Sequence, residues 1–251
     1  MKGLTPLLKK EIKEQLRTHR LLIVGVVFLI FGLMAPLLQY FMPQILKMAS
    51  EQVVLEIPAA TSLASFTDFV SYIGQFGILI AVLVAMGAIA NELKHGTALI
   101  TLSKPVNSGA FINAKFIAIS LTLLVSQAIA AVFCFGYTVW LIGEAALLPF
   151  IWMNLLIALF LIFCLALTLV FSSLFKSSLA AGGMALGTTF GLGFLASIPV
   201  VGEYLPSKII GWGVNLLSGT GETYWGALAV TVIGIFLCLY SSQRILKRKE
   251  I

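Results

Sequence analysis

Six long apolar stretches fill most of this sequence, and none carries Asp, Glu, Lys, Arg or His near its middle. A helix needs about 20 apolar residues to cross the hydrocarbon core of a bilayer, so stretches of this kind are typical of membrane spans. The chain is 60% hydrophobic and only 10% charged, whereas soluble domains carry roughly 25% charged residues. So few charges cannot cover a water-facing surface, and the sequence therefore predicts an all-α membrane protein.

The predicted spans lie within residues 21–243 of one transmembrane domain that covers residues 1–251. An interfacial helix over residues 1–20 precedes them, and a cytoplasmic tail over residues 244–251 follows. The six spans are expected at Leu21–Phe41, Phe69–Ala90, Phe116–Ile142, Pro149–Leu174, Leu179–Val200 and Tyr224–Ser242. Residues 199–223 are too apolar for a solvated loop and too rich in Gly and Pro for a span, which favours a short re-entrant or interfacial piece.

The basic residues are distributed unevenly about these spans. With six spans, 14 of the 16 Lys and Arg residues fall on one side of the membrane, and only Lys47 and Lys208 fall on the other. In membrane proteins the cytoplasmic loops carry the excess of Lys and Arg. We therefore expect a multi-pass protein of the cell membrane whose N- and C-termini both lie in the cytoplasm.

The N-terminal segment has the pattern of an amphipathic helix. Its apolar stripe comprises Leu4, Leu7, Leu8, Ile12 and Leu16, and off this stripe lie Lys9, Lys10, Lys13, Glu14 and Arg17. An interfacial helix with lysines directed at anionic headgroups has this pattern. The simpler alternative is a positively charged segment that only fixes the topology. We favour the interfacial helix, with Leu8, Ile12, Leu16 and Arg17 as its characteristic residues.

The sequence lacks the motifs of several functional classes. No Gly-x-x-x-x-Gly-Lys-Ser/Thr loop for nucleotides and no His-Glu-x-x-His motif occurs, and the three cysteines, all within apolar stretches, form no metal or disulfide pattern. Nothing indicates nucleic-acid binding. Ion-coupled transporters usually need a charged group inside the membrane, so if this chain drives transport, the energy must come from another polypeptide. We expect no catalytic residue, metal or cofactor in the chain itself.

The fifth span contains a stripe of glycines, Gly183, Gly187 and Gly191, at intervals of four residues. Small residues on one helix face allow another helix to approach closely. The partner is either a neighbouring span of the same chain or the same span of a second copy, and we slightly favour the intrachain contact.

Between the second and third spans lies an amphipathic segment from Asn91 to Ser108. Its leucines, Leu93, Leu99 and Leu102, have the spacing to pack inward, whereas Glu92, Lys94 and Lys104 face water or a partner. Pro105 ends the helical part. The alternative is a plain solvated loop, which the ordered leucines argue against.

This segment, together with the layout of the whole chain, resembles the permease subunits of ABC-2 type transporters, in the branch similar to the NosY-like permeases. That family has an acidic residue at the end of the second span, then Gly-Thr, a leucine run, Ser-x-Pro-Val and a Lys that opens the third span. The matching residues here are Glu92, Gly96-Thr97, Leu99, Leu102, Ser103-Lys104-Pro105-Val106 and Lys115. The family often has an arginine after Pro-Val, whereas this chain has Asn107-Ser108.

The resemblance implies an exporter-like type V fold in which two six-span subunits form the membrane unit. Two separate ATPase subunits would bind ATP and Mg²⁺, so that this chain is a transport subunit without an ATP site and the assembled complex is the translocase. The second permease subunit is a further copy or a paralogue, and membrane lipids surround the pair. The implied substrate is amphipathic or hydrophobic: a lipid, a peptide or a drug.

The resemblance also implies roles for single residues. The segment after the second span would be the coupling helix that contacts the ATPase, through Glu92, Lys94, Gly96, Thr97, Leu99, Leu102, Ser103 and Pro105. Lys176, in the turn after the fourth span, would make a second contact, and the N-terminal helix would be the connecting helix. Two other classes stay open: an intramembrane enzyme, and a channel or scaffold that works without an ATPase.

Overall fold

Helices account for all the regular structure in residues 3–49, 60–96 and 107–249, which are the residues that the computed structural model describes. The helices are α1 Leu4–Arg17, α2 Arg20–Ala49, α3 Ser62–Ala85, α4 Gly87–Lys94, α5 Ser108–Leu141, α6 Leu147–Leu174, α7 Ser178–Leu195, α8 Lys208–Ser218 and α9 Trp225–Lys249. A 3-10 turn, Gly202–Tyr204, lies between α7 and α8.

Within the described residues, six segments are long and apolar enough to cross a membrane. They are α2, α3 together with α4, α5, α6, α7 and α9. The predicted six-span, all-α architecture is therefore confirmed for this part of the chain, which is a multi-pass membrane protein.

The first span is longer than expected. It was predicted to end near Phe41, but α2 continues to Ala49 and contains both Pro36 and Pro43. Proline lacks an N–H and removes one backbone hydrogen bond, yet spanning helices tolerate it where neighbouring groups compensate. Pro43 therefore lies within the helix, beyond the predicted end of the span at Phe41.

The helices differ greatly in how much of their surface the protein covers. In the most apolar part of α6, 61% of the residues are buried, against 22% in the corresponding parts of α7 and α9. Helix α6 therefore forms the centre of the bundle, in contact with α3, α7, α8 and α9. Helices α7 and α9 lie at the periphery and leave apolar side chains such as Phe194 and Phe236 open to lipid.

The two ends of the bundle differ. Helix α1, the ends of α4, α6 and α9 and the start of α5 meet at one end, which we call the terminal face. At the opposite end, the distal face, the 11-residue helix α8 packs its buried residues Ile209, Trp212 and Gly213 against the bundle, with Gly213 beside Met153 of α6. A short helix covered by protein agrees with the piece expected within residues 199–223.

The second span is interrupted close to the terminal face. Helix α3 ends at Ala85 and α4 begins at Gly87, so that Met86 separates the two helices. The first N–H groups of any helix lack intrahelical partners. Here the hydroxyl of Ser172, which comes from α6, accepts hydrogen bonds from the backbone N–H groups of Ile89 and Ala90, both at 3.0 Å. The same hydroxyl donates to the Met86 carbonyl at 2.8 Å.

This hydroxyl connects α3, α4 and α6 at a buried point, since Ser172 has no exposed surface. We predict that Ser172→Ala lowers the stability of the chain by about 1–3 kcal/mol, because buried N–H and C=O groups lose their partner. The measurement is the midpoint of thermal unfolding of the purified chain in detergent.

The neighbouring residue gives a matched control. Ser173 is equally buried, but its hydroxyl donates only to the Val170 carbonyl within α6 itself. Ser173→Ala should therefore cost less than about 1 kcal/mol. Equal losses in the two variants would show that the bridge to α4 contributes nothing.

Candidate functional site

Three charged side chains from three helices meet at the terminal face. The Nζ atom of Lys115, on α5, lies 3.0 Å from Oε1 of Glu11 on α1 and 2.6 Å from Oε1 of Glu92 on α4. We call these three residues the Lys115 cluster. Because both carboxylates accept a hydrogen bond from the same ammonium group, the cluster joins α1, α4 and α5 directly.

The cluster is largely withdrawn from solvent. The side chains of Lys115 and Glu11 are 4% and 7% exposed, and that of Glu92 is 19% exposed. The Lys115 ammonium also lies 5.1 Å from the centre of the Phe111 ring, which adds a favourable cation–π contact. Taking charges out of water costs several kcal/mol per ion unless they are paired, so each member depends on the others to stay buried.

Helix α1 buries polar residues against the bundle. Its buried residues are Glu11 and Gln15, one turn apart, whereas Leu16 is 56% exposed. Leu8 and Ile12 are half-buried and Arg17 is exposed.

The surroundings of α1 explain which of its residues are buried. An apolar stripe at a membrane surface gains by facing lipid, while a carboxylate needs a cation, and the protein interior supplies Lys115. Sequence reasoning missed Glu11 for this reason. The available signal was Lys115 itself, because a charge within the mainly apolar run from Phe111 to Ile119 requires a partner.

The structure describes four of the predicted ATPase-coupling residues. Glu92 belongs to the Lys115 cluster, whereas Lys94 is exposed at the end of α4. Gly96 follows with φ of 72°, a left-handed conformation that favours glycine, and Lys176 is exposed in the turn between α6 and α7. The other predicted coupling residues, Thr97, Leu99, Leu102, Ser103 and Pro105, lie outside the described residues.

Two members of the Lys115 cluster lie on either side of residues 97–106 in the sequence. Glu92 precedes them on α4, and Lys115 follows them on α5. The start of α5 is fixed by Asn107, whose side-chain oxygen accepts a hydrogen bond from the Gly109 N–H at 3.1 Å. The two flanks of residues 97–106 are therefore held together, and α1 is attached to the same point. A force applied between the flanks would act on three helices at once.

The turn that carries Lys176 has its own anchor. The Nζ atom of Lys249, at the end of α9, donates to the carbonyls of Ser173 and Leu174 at 2.8 and 2.7 Å. These carbonyls belong to the last turn of α6, where helical partners are missing and a cation is favourable. Helix α9 thus fixes the end of α6 next to the turn.

The glycine stripe has no close neighbour within the described chain. A Cβ atom built at Gly183, Gly187 or Gly191 meets no atom within 4 Å, whereas one built at Gly182 would lie 2.7 Å from the Met86 sulfur. The intrachain contact that we favoured is therefore not made by the described residues. Packing against a second copy stays a prediction.

No metal centre emerges from the described residues, where no three His, Cys, Asp or Glu side chains come together with suitable geometry. The cysteines Cys134, Cys164 and Cys238 are free thiols within the spans. The chemistry of the site is therefore the ion pairing of the Lys115 cluster.

Comparison with known proteins agrees with this architecture. The sequence profile of the family described as "ABC-2 family transporter protein" matches residues 5–241. The chain is also similar to the "uncharacterized transmembrane protein YxlG" of Bacillus subtilis (strain 168), with 26% identity over 258 residues that cover 100% of this chain and 99% of the relative.

We predict that Lys115→Met destabilises the chain by about 3–5 kcal/mol, because two buried carboxylates lose their common cation. Thermal unfolding in detergent measures the loss. In the variant that also carries Glu11→Gln and Glu92→Gln the buried charges are gone, so most of the stability should return. A triple variant no more stable than Lys115→Met alone would contradict the pairing.

Proposed function

We propose a transport function for this chain, which belongs to the ABC-2 family of transporter membrane proteins. It is the permease subunit of an ATP-driven exporter for an amphipathic or hydrophobic substrate. Two copies of a separate ATPase subunit bind ATP and Mg²⁺, and a second permease subunit, identical or paralogous, completes the membrane unit. Membership of the branch similar to the NosY-like permeases stays our prediction.

The observation that carries this proposal is the Lys115 cluster. It holds together both flanks of residues 97–106, the segment to which the resemblance assigns the ATPase contact. A partner that pulls or rotates this segment would move α4 and α5 together and would displace α1 with them. Through Ser172 the movement of α4 would reach α6, at the centre of the bundle.

The orientation that we propose places the terminal face in the cytoplasm. Exposed basic residues on this face include Lys9, Lys10, Lys13, Lys176 and Arg248, whereas the distal helix α8 carries one, Lys208. The excess of Lys and Arg on cytoplasmic segments supports this orientation. An ATPase would then approach the terminal face from the compartment that holds ATP.

The second permease subunit has a suitable surface on α7. The glycine stripe is open in the single chain, and small residues let two spans approach closely in a membrane, where apolar burial alone gives little driving force. We propose that α7 of one permease contacts the other permease through Gly183, Gly187 and Gly191.

The alternatives predict different behaviour. A channel or scaffold would work without ATP hydrolysis, and an intramembrane enzyme would convert a substrate without any second polypeptide. The permease proposal requires an ATPase chain whose activity responds to changes on the terminal face.

Two glycines provide a matched test of the coupling between this chain and the ATPase. Gly96 and Gly219 both follow a helix, both have φ of 72°, and a Cβ atom at either would meet nothing within 4 Å. Gly96 lies on the terminal face and Gly219 on the distal face. Replacing either by valine forces the same left-handed strain, about 1–2 kcal/mol, so folding should suffer equally.

The expected result is a loss of coupling in one variant only. The tagged chain is purified in mild detergent together with its ATPase, and the rate of ATP hydrolysis is measured. A Gly-x-x-x-x-Gly-Lys-Ser/Thr loop in the co-purified chain identifies the ATPase. Gly96→Val should lower the rate at least about tenfold, which corresponds to about 1.4 kcal/mol, while Gly219→Val retains it. Equal rates in both variants, or no ATPase in the purified material, would refute the proposal.

A further inference from the structure

An apolar groove opens on the outer surface of the bundle near the terminal face, between α5 and α9. Its volume is 510 Å³, and its walls include Phe116 and Ile117 of α5 and Phe236 and Leu239 of α9. That volume lies within the range of about 300–1,000 Å³ that is typical of ligand sites. Phe236 is 68% exposed, so the groove opens sideways toward the surrounding lipid.

The polar side chains at this groove satisfy each other. The Gln243 amide nitrogen donates to the side-chain oxygen of Asn113 at 3.0 Å, and both residues line the groove. The remaining surface is therefore almost wholly apolar. It is suited to a hydrocarbon chain and not to a polar solute.

A second, smaller cavity of 120 Å³ adjoins the groove and shares Tyr240 and Gln243 with it. Arg244 and Lys247 line this cavity, together with residues 107–109 at the start of α5. Among the residues that the structure describes, neither lining includes an acidic one. The dipole at the start of α5 also favours an anion, so the described charges at this cavity have the same sign.

Arg244 is held in position at the boundary between the two cavities. Its Nε atom donates to the Tyr240 hydroxyl at 2.8 Å, and its guanidinium group lies 5.0 Å from the centre of the same ring. The other N–H groups of a guanidinium can bind a phosphate with two parallel hydrogen bonds. Because the side chain is already ordered, less conformational entropy is lost when an anion binds.

We propose that these two cavities form one binding site for an anionic phospholipid, with an acyl chain in the groove and the phosphate between Arg244 and Lys247. Basic pockets between spans bind anionic headgroups at the membrane surface. A free phosphate ion would leave the groove empty, and a zwitterionic lipid would bring its own ammonium group next to Arg244 and Lys247. The combination of an apolar groove with a cationic opening selects a molecule that has both parts.

The charge requirement is tested on the purified full-length chain in detergent. Dioleoylphosphatidylglycerol or dioleoylphosphatidylcholine is titrated, and native mass spectrometry counts the bound lipids. Removing both cations with Arg244→Gln and Lys247→Gln should weaken phosphatidylglycerol binding about 30-fold. Phosphatidylcholine binding should weaken much less, because the choline group offsets the charge of its phosphate.

The control removes the same amount of charge elsewhere. Lys13 and Arg248 are exposed on the terminal face and line neither cavity. The variant with Lys13→Gln and Arg248→Gln should bind phosphatidylglycerol within about threefold of the unchanged chain, because general attraction to a charged surface is screened. Equal weakening in the two double variants would overturn the site.

A third pair of variants tests the acyl chain without any change of charge. Ile117→Trp fills the groove, and Leu237→Trp adds the same bulk at a position that is 59% exposed and does not line it. Only Ile117→Trp should lower phosphatidylglycerol retention, by about tenfold. Unchanged retention would overturn the groove assignment.

Two further outcomes would overturn the proposal. Inorganic phosphate that displaces the lipid at equal concentration would indicate an anion site in which the groove has no role. A dimer that retains no lipid would indicate that a second copy of the chain covers this face. The proposal does not depend on ATPase coupling, so its failure would leave the transport function untouched.

Discussion

The fold depends on the burial of Lys115. A lysine ammonium held away from water is costly, and here two carboxylates from separate helices, Glu11 and Glu92, compensate for it. Their positions follow from this requirement: α1 turns Glu11 inward, and the end of α4 approaches the start of α5. A buried ion pair is weak evidence for added stability, because a well-packed apolar trio can be as stable. The pairing does join particular helices, since Lys115 on α5 contacts one carboxylate on α1 and one on α4.

Helix α4 is held at both of its ends. The Ser172 hydroxyl satisfies its first N–H groups and connects it to α6, while Glu92 ties its last turn to Lys115 on α5. A short helix with contacts at both ends is held to its neighbours more firmly than a loop would be. The break at Met86 separates α4 from the rest of the second span. In the function that we propose, a displacement of the segment after α4 would reach the bundle through these two contacts.

The number and type of the spans could be predicted from the sequence because a helix in lipid requires a long apolar stretch. Apolar stretches of about 20 residues predict spans, and six were found, although α2 extends beyond the predicted end of the first. The site was accessible only in part. Glu92 was singled out, but Glu11, which shares the Lys115 ammonium with it, was not. An amphipathic pattern shows which side of a helix avoids water, and it gives no sign of a carboxylate that is buried against a distant lysine. The Ser172 bridge was equally hidden, because a serine 83 residues from its partner Ile89 leaves no local pattern. Contacts of this range depend on the packing of whole helices.

The central claim is that α1 and α4 form one rigid unit around Lys115. Spin labels at Lys13 and Asn91, both exposed, would report on it in a chain whose native cysteines have been replaced, within the complex with the ATPase that we propose as its partner. Pulsed electron paramagnetic resonance gives the distance distribution between the two labels with and without ATP. The account predicts one narrow distribution that ATP does not shift and that Lys115→Met broadens. A distance that changes with ATP in the unaltered cluster, or a distribution that stays narrow without the lysine, would contradict it.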